Sequence, residues 1–219
     1  DYGPCAFMDT FHPMRVFSSI DQHGRYAFAR QPDVAMWNLA QLASALLPLI
    51  GDIAPAQAAV DRFPELFRHE WLKVFRGKIG LQTEVEGDAE LIHRLMEIMT
   101  NGNSDFTNAL RALGTEAAQD EFADRDAFAS WQRDWVERLN KEDAAPEGRV
   151  DDMQHVNPAV IPRTHRIEQA IQAAISGDFA PFERLNTALA TPFVVGQADR
   201  DLTRPPTDEE IVPQTFCGT

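Results

Sequence analysis

The side chains most suited to chemistry sit near the two ends of the chain. Asp1 opens it in the triplet Asp1-Tyr2-Gly3, Cys5 follows closely, and Cys217 lies in the closing "TFCGT". A carboxylate is a hard oxygen ligand for a divalent cation. One carboxylate alone holds Mg²⁺ feebly, because such sites usually borrow phosphate oxygens and a second ligand. Two cysteines make no disulfide framework, and no CxxC or Cys/His ligand spacing occurs. His69-Glu70 resembles the start of a zinc motif, but Lys73 stands where the second histidine should be. The six histidines are scattered, and His93 reads as an ordinary helix residue. No GxxxxGK[ST], GxGxxG or GxSxG stretch is present, so the chain carries no phosphate-cradling loop or nucleophile elbow of its own.

The elements that must position these groups are mostly helical. Residues 1–32 are punctuated by Gly3, Pro4, Pro13, Gly24 and Pro32, which predicts a long irregular loop. Phe7, Phe11, Phe17, Tyr26 and Phe28 favour its being ordered. Asp33 is a candidate cap, and Val34, Trp37, Leu42, Leu46 and Ile50 follow at near-helical spacing, ended by Pro48 and Gly51. A second helical stretch starts near Pro55, is kinked or restarted at Pro64, and stops at Gly77 or Gly80. Asp88 is expected to cap a third helix closed by Asn101-Gly102, and Ser104 or Asp105 a fourth. Phe128, Trp131, Trp135 and Leu139 predict a fifth over 126–140, with the tryptophans in the core and the acidic run Asp120–Asp126 at its solvated start. "NKEDAAPEGRVDD" reads as an exposed connection. Helices follow over 164–176 and 179–190, and a Pro-rich irregular tail begins at Thr191. No strand alternation and no fixed-period repeat appears, so the expected fold is mainly α, a single region.

Composition bounds the function. The chain has 219 residues, 44% of them hydrophobic, enough for a soluble core. A net charge of -14 argues against a nucleic-acid partner, which wants clustered Lys and Arg. No apolar run approaches the roughly 18 residues of a membrane span. The acidic start is unlike a secretory leader, so no membrane partner and a cytoplasmic setting are expected. The chain enters on Asp1 without an initiator Met, which leads us to expect the C-terminal part of a longer protein.

Asp-aromatic-Gly before a long loop that runs into helices is the arrangement of the kinase metal-binding triplet. There the Asp holds Mg²⁺ against nucleotide phosphates and the Gly lets the backbone turn. Alone, the triplet does not outweigh an ordinary turn. Taken in order, "DYGPCAFMD", "IDQHGRYAFARQPDVAMWNLAQLASALLPLI", "GKIGL", "SDFTNALRAL", "NPAVIPRTHRIEQAIQAA" and "TFCGT" resemble the selenoprotein O family of protein adenylyltransferases along essentially the whole chain.

The resemblance implies the helical C-terminal lobe of a protein-kinase-like fold. It would consist of an activation-segment-like loop over 1–32, a helical body over 33–190 and a redox tail over 191–219. It implies AMP transfer from ATP to hydroxyl side chains of proteins, with Mg²⁺ or Mn²⁺. Asp1 then matches the metal ligand that meets the ATP phosphates, and Gly24–Tyr26 a structural GRY element. The base and the rest of the catalytic set are expected upstream of Asp1, so no catalytic residue lies in this chain and the isolated chain is expected to be inactive. Cys5, Arg30 and Thr164 depart from the family pattern. Cys217 stands where many members carry selenocysteine, which makes it and Cys5 the redox candidates. A bridge between them would tie the tail to the loop beside Asp1; two independent cysteines are the alternative. The missing N-terminal lobe should leave an apolar face exposed on the part present. An ordinary kinase fragment and a non-catalytic helical interaction module are the competing assignments.

Overall fold

A computed structural model describes residues 6–142 and 148–215. Among them the regular structure is helical and no strand forms; a lone antiparallel bridge joins Thr10 and Asp105. The chain divides into two compact units. Among the described residues, unit 1 holds 6, 13–74 and 214–215, and unit 2 holds 7–12 and 75–213.

In unit 1 a short 3-10 turn, Phe28–Arg30, leads into α1, Gln31–Ile50. Pro32 lies in the first turn of α1, where a missing N–H costs nothing, so it opens the helix that it was expected to precede. Gly51 closes α1 at φ 81°, and its N–H donates to Leu47 O. Pro48 lies inside the helix and does not end it. Asp52 caps α2, Ile53–Asp61, by accepting from Ala54 N, and α1 and α2 pack together. Helix α3, Phe63–Lys78, restarts at Pro64 and runs on into unit 2.

One expectation is corrected here. The helical segment Phe28–Ile50 is long and apolar enough, by length and composition, to cross a membrane, with a mean hydropathy of 1.3 over an 18-residue window. Asn38, Gln41 and Ser44 break the apolar run when it is read as a string, but a helix gathers residues three apart onto one side and leaves the rest of its circumference apolar.

Unit 2 is built on an aromatic stack. Helix α4 is Asp88–Gly102, α5 Phe106–Ala112 and α6 Arg125–Leu139. Phe122 and Phe128 stack at 4.1 Å, Phe128 and Trp131 at 5.8 Å, and Trp131 and Trp135 at 5.4 Å. Each buried indole N–H finds a carbonyl: Trp131 donates to Leu91 O and Trp135 to Ile79 O, both at 2.8 Å. Asp124 caps α6 by accepting from Ala127 N at 2.9 Å. Gly87 precedes α4 in a left-handed conformation, which displaces Asp88 from the expected cap into the first turn. There its carboxylate accepts from Arg138 Nε at 2.6 Å.

Helix α7, Arg149–Val156, replaces part of the expected exposed connection. Its Met153 is buried over Gly80, where φ is 75° and an added Cβ would meet the sulfur at 2.8 Å. Helices α8, Thr164–Ile175, and α9, Ala180–Ala190, form a hairpin. Ala159, Val160, Leu185, Ala188 and Leu202 make a small core beneath it. The tail expected to be irregular includes 3-10 turns at Gln197–Thr203 and Asp208–Glu210.

Candidate functional site

Asp1, Cys5 and Cys217 lie outside the described residues. The described structure does show how the loop that leaves Asp1 is held at three places.

The first anchor is in unit 2. Met8 and Phe11 are buried, and Phe11 stacks on Phe106 at 5.3 Å. Phe11 N donates to Ser104 O at 2.9 Å and Phe106 N to Asp9 O at 2.7 Å, so the loop lies along the α4–α5 corner. Arg163, the residue before α8, closes the arrangement with a side chain wholly removed from solvent. Its Nη1 donates to Asp9 Oδ1 and, at 2.7 Å, to Asp105 Oδ2. Its Nη2 donates to Asp105 Oδ1 at 3.1 Å, to Asn108 Oδ1 at 3.2 Å and to Thr203 O at 2.9 Å. Burial alone would lower the Arg163 pKa; Asp105 and Asp9 outweigh it and raise it above the ordinary value. Asp105 also caps α5 through Asn108 N at 2.8 Å, so one carboxylate serves both the helix and the arginine. Glu121 is raised above the ordinary carboxylate value, by burial first and then by the charge of Asp105.

The second anchor is the turn "DQHGRY" in unit 1. Gly24 takes φ 64°, and the Asp21 carboxylate accepts from Arg25 N at 2.7 Å and Tyr26 N at 2.8 Å. The Arg25 guanidinium then lies 4.7 Å from the Trp37 ring centre and 5.6 Å from that of Tyr26. This ties the loop to the first turns of α1.

The third anchor is the end of the tail. Ser19 N donates to Thr215 O at 2.8 Å, Thr215 N to Ser19 Oγ at 3.1 Å, and Thr215 Oγ1 to Phe17 O at 3.3 Å. The tail therefore pairs with residues 17–19 of the same loop, two residues before Cys217. Upstream, the tail is held by arginines: Arg204 Nη1 donates to Glu210 Oε2 and Nη2 to Oε1, both at 2.7 Å. That pairing, with a hydrogen bond from Thr207 N, holds Glu210 far below the ordinary carboxylate range.

Sequence reasoning missed Arg163, Asp105 and Thr215 as partners of the loop. Asp105 was legible as a cap, but partners 58 and 154 residues from Arg163 leave no local pattern. The groups described do not fit a metal. Among the described residues no group of three or more His, Cys, Asp or Glu could hold an ion, and the clustered carboxylates of Asp9 and Asp105 are already taken by Arg163. A surface depression lined by Asn101, Gly102 and Ala123–Asp126 includes the α6 cap Asp124 but none of the loop anchors Asp9, Asp105, Arg163 or Thr215.

Comparison with known proteins gives the family of the chain. The family described as "Protein adenylyltransferase SelO" matches residues 1–190. A protein named "Protein nucleotidyltransferase YdiU" from Ruegeria pomeroyi is 52% identical over 223 residues, covering 100% of this chain and 46% of the relative. Proteins of the same name from Jannaschia sp. and Rhizobium etli (strain CIAT 652) are 51% and 46% identical, again over 100% of this chain and 47% of each relative. The chain thus spans about half the length of the curated relatives it matches. With 190 of its 219 residues matched and relatives aligned over 100% of the chain, the chain belongs to the SelO family of protein adenylyltransferases.

Proposed function

We propose that the full-length protein carrying this chain transfers AMP from ATP to Ser, Thr or Tyr hydroxyls of other proteins, and that these residues form its helical C-terminal part. The family match over residues 1–190 carries this reading, supported by relatives named as protein nucleotidyltransferases. Nucleotidyl transfer rests on positioning and on electrostatic stabilisation of the reacting phosphate. In this reading Asp1 contributes one carboxylate to a Mg²⁺ or Mn²⁺ that meets the ATP phosphates. The second metal ligand, the cationic phosphate contacts and the base come from outside the 219 residues. The isolated chain is therefore inactive.

The tail adds a redox link. Thr215 is pinned to residues 17–19, so Cys217 is chain-tethered to the loop that also contains Cys5. Joining the two thiols would pass two electrons and two protons to a small-molecule disulfide. The bridge would restrain the loop beside Asp1, and a thiol reductant would release it.

The test is transfer of label from ATP to protein by the full-length enzyme. Label from the α-phosphate, lost in Asp1→Ala and absent from the 219-residue chain, is the expected result. Label from the γ-phosphate would make the protein a kinase, and no transfer of either label would remove the enzymatic reading. A non-reducing digest that never joins the Cys5 and Cys217 peptides, with activity unmoved by reductant, would remove the redox link alone.

A further inference from the structure

Unit 1 carries more apolar surface than its interior encloses. Among its described residues the buried apolar side chains are Ala27, Val34, Ala56, Val60 and Leu72, two of them alanines. Helix α1 is twenty residues long, yet Val34 is its one buried residue. A helix apolar around most of its circumference is normally enclosed. Instead Leu42, Leu46 and Leu49, at i, i+4 and i+7, form an exposed stripe, and Ile53 at the start of α2 is exposed as well. Leu49 is 84% exposed. Folded monomers rarely leave such a contiguous face uncovered.

We propose that this stripe is the docking surface for the part of the protein outside the 219 residues, the half of the family's length that this chain does not span. Relatives matched along the whole of this chain have 53–54% of their length outside the match, since 46–47% of each is covered, so a body of comparable size is there to cover the stripe. The stripe has no charged residue between Leu42 and Ile50, as suits the core of a permanent interface and not a transient one. A bilayer fits less well. Asn38, Gln41 and Ser44, at i, i+3 and i+6, line one side of the middle of α1, and polar groups at mid-span are costly in lipid. Arg25 over the Trp37 ring also holds the start of the helix in a polar setting. This inference stands whether or not the protein transfers AMP.

The test uses the full-length protein with a photocrosslinking amino acid in place of Leu49. Illumination should join position 49 to peptides upstream of Asp1 within the same molecule, with the mass of a monomer. The same probe in place of Val194, 73% exposed in unit 2, should be quenched mainly by water. Adducts to a second copy, to lipid from added phosphatidylethanolamine–phosphatidylglycerol vesicles, or to residues 75–213 would each overturn the proposal. So would quenching by water at position 49 equal to that at 194. Should the substituted protein not fold, diazirine footprinting of the unmodified protein decides. Leu49 is expected to be labelled several-fold less than Val194, and equal labelling overturns the assignment.

Discussion

At Arg163 one guanidinium serves two carboxylates, a side-chain amide and a backbone carbonyl, all away from water. Taking the arginine away would leave Asp9 and Asp105 facing each other without a counter-charge. Arg163→Ala should therefore cost about 3–5 kcal/mol of unfolding free energy, the usual result of breaking a buried pair on one side. Arg163→Lys should fall between the two, because an ammonium cannot reproduce the planar fork. Urea unfolding of the full-length protein checks both, and equal stability of Arg163→Ala and wild type would show that the cluster is not buried there. Nearby His165 is buried, and neither ring nitrogen has a hydrogen-bond partner. Burial first, then the charge of Arg166, lowers its pKa from the ordinary 6.5. With the folded value below the unfolded one, the unfolded state takes up the proton first. The stability that His165 contributes is complete above pH 6.5 and is lost as pH falls from there through the lower folded value. His165→Gln should flatten that part of the stability–pH curve, measured as the thermal midpoint from pH 7 downward.

At the scale of the element, caps and left-handed glycines decide where helices begin and turn. Asp124 accepts from Ala127 N at the head of α6, the helix that carries Trp131 and Trp135 into the core. Asp124→Ala should cost about 1 kcal/mol and Asp124→Asn much less. Denaturant midpoints of the two variants provide the comparison, and equal losses would show that the charge matters more than the cap. Gly80→Ala should cost more than a cap: its φ of 75° disfavours a side chain, and a Cβ would meet Met153 at 2.8 Å. Loss of α7 packing would appear as faster hydrogen exchange over residues 149–156. The stack Phe128–Trp131–Trp135 was legible because helical spacing and aromatic size agree. Helix α7 was not legible. Eight residues with Asp151, Asp152 and one buried methionine read as solvated chain until Gly80 supplies the surface they pack on. Asp88 was read as a cap because its type and place fit. Only Arg138, 50 residues away, explains why its carboxylate turns inward.

At the scale of the whole molecule, the exposed stripe on α1 predicts the behaviour of the 219-residue chain by itself. It should self-associate or be poorly soluble, while the full-length protein stays dispersed; light scattering at matched concentration tests this. Substituting Leu46 and Leu49 by Asp should improve the dispersity of the short chain and destabilise the full-length protein. Equal dispersity of the short chain before and after substitution would count against the stripe as the cause.

The sequence by itself determined the family, the helical class, the placing of α1, α4, α6, α8 and α9 and the aromatic core. Each of these is written in local spacing or in ordered motifs that survive along the chain. Only the tertiary structure decided which charges meet. Asp9, Asp105, Asn108 and Thr203 converge on Arg163, and Thr215 reaches Ser19, across separations of 40 to 196 residues. A hydrogen-bonded ion pair depends on distance in space and leaves no period in sequence, so the anchors of the loop behind Asp1 became visible only when the chain was folded.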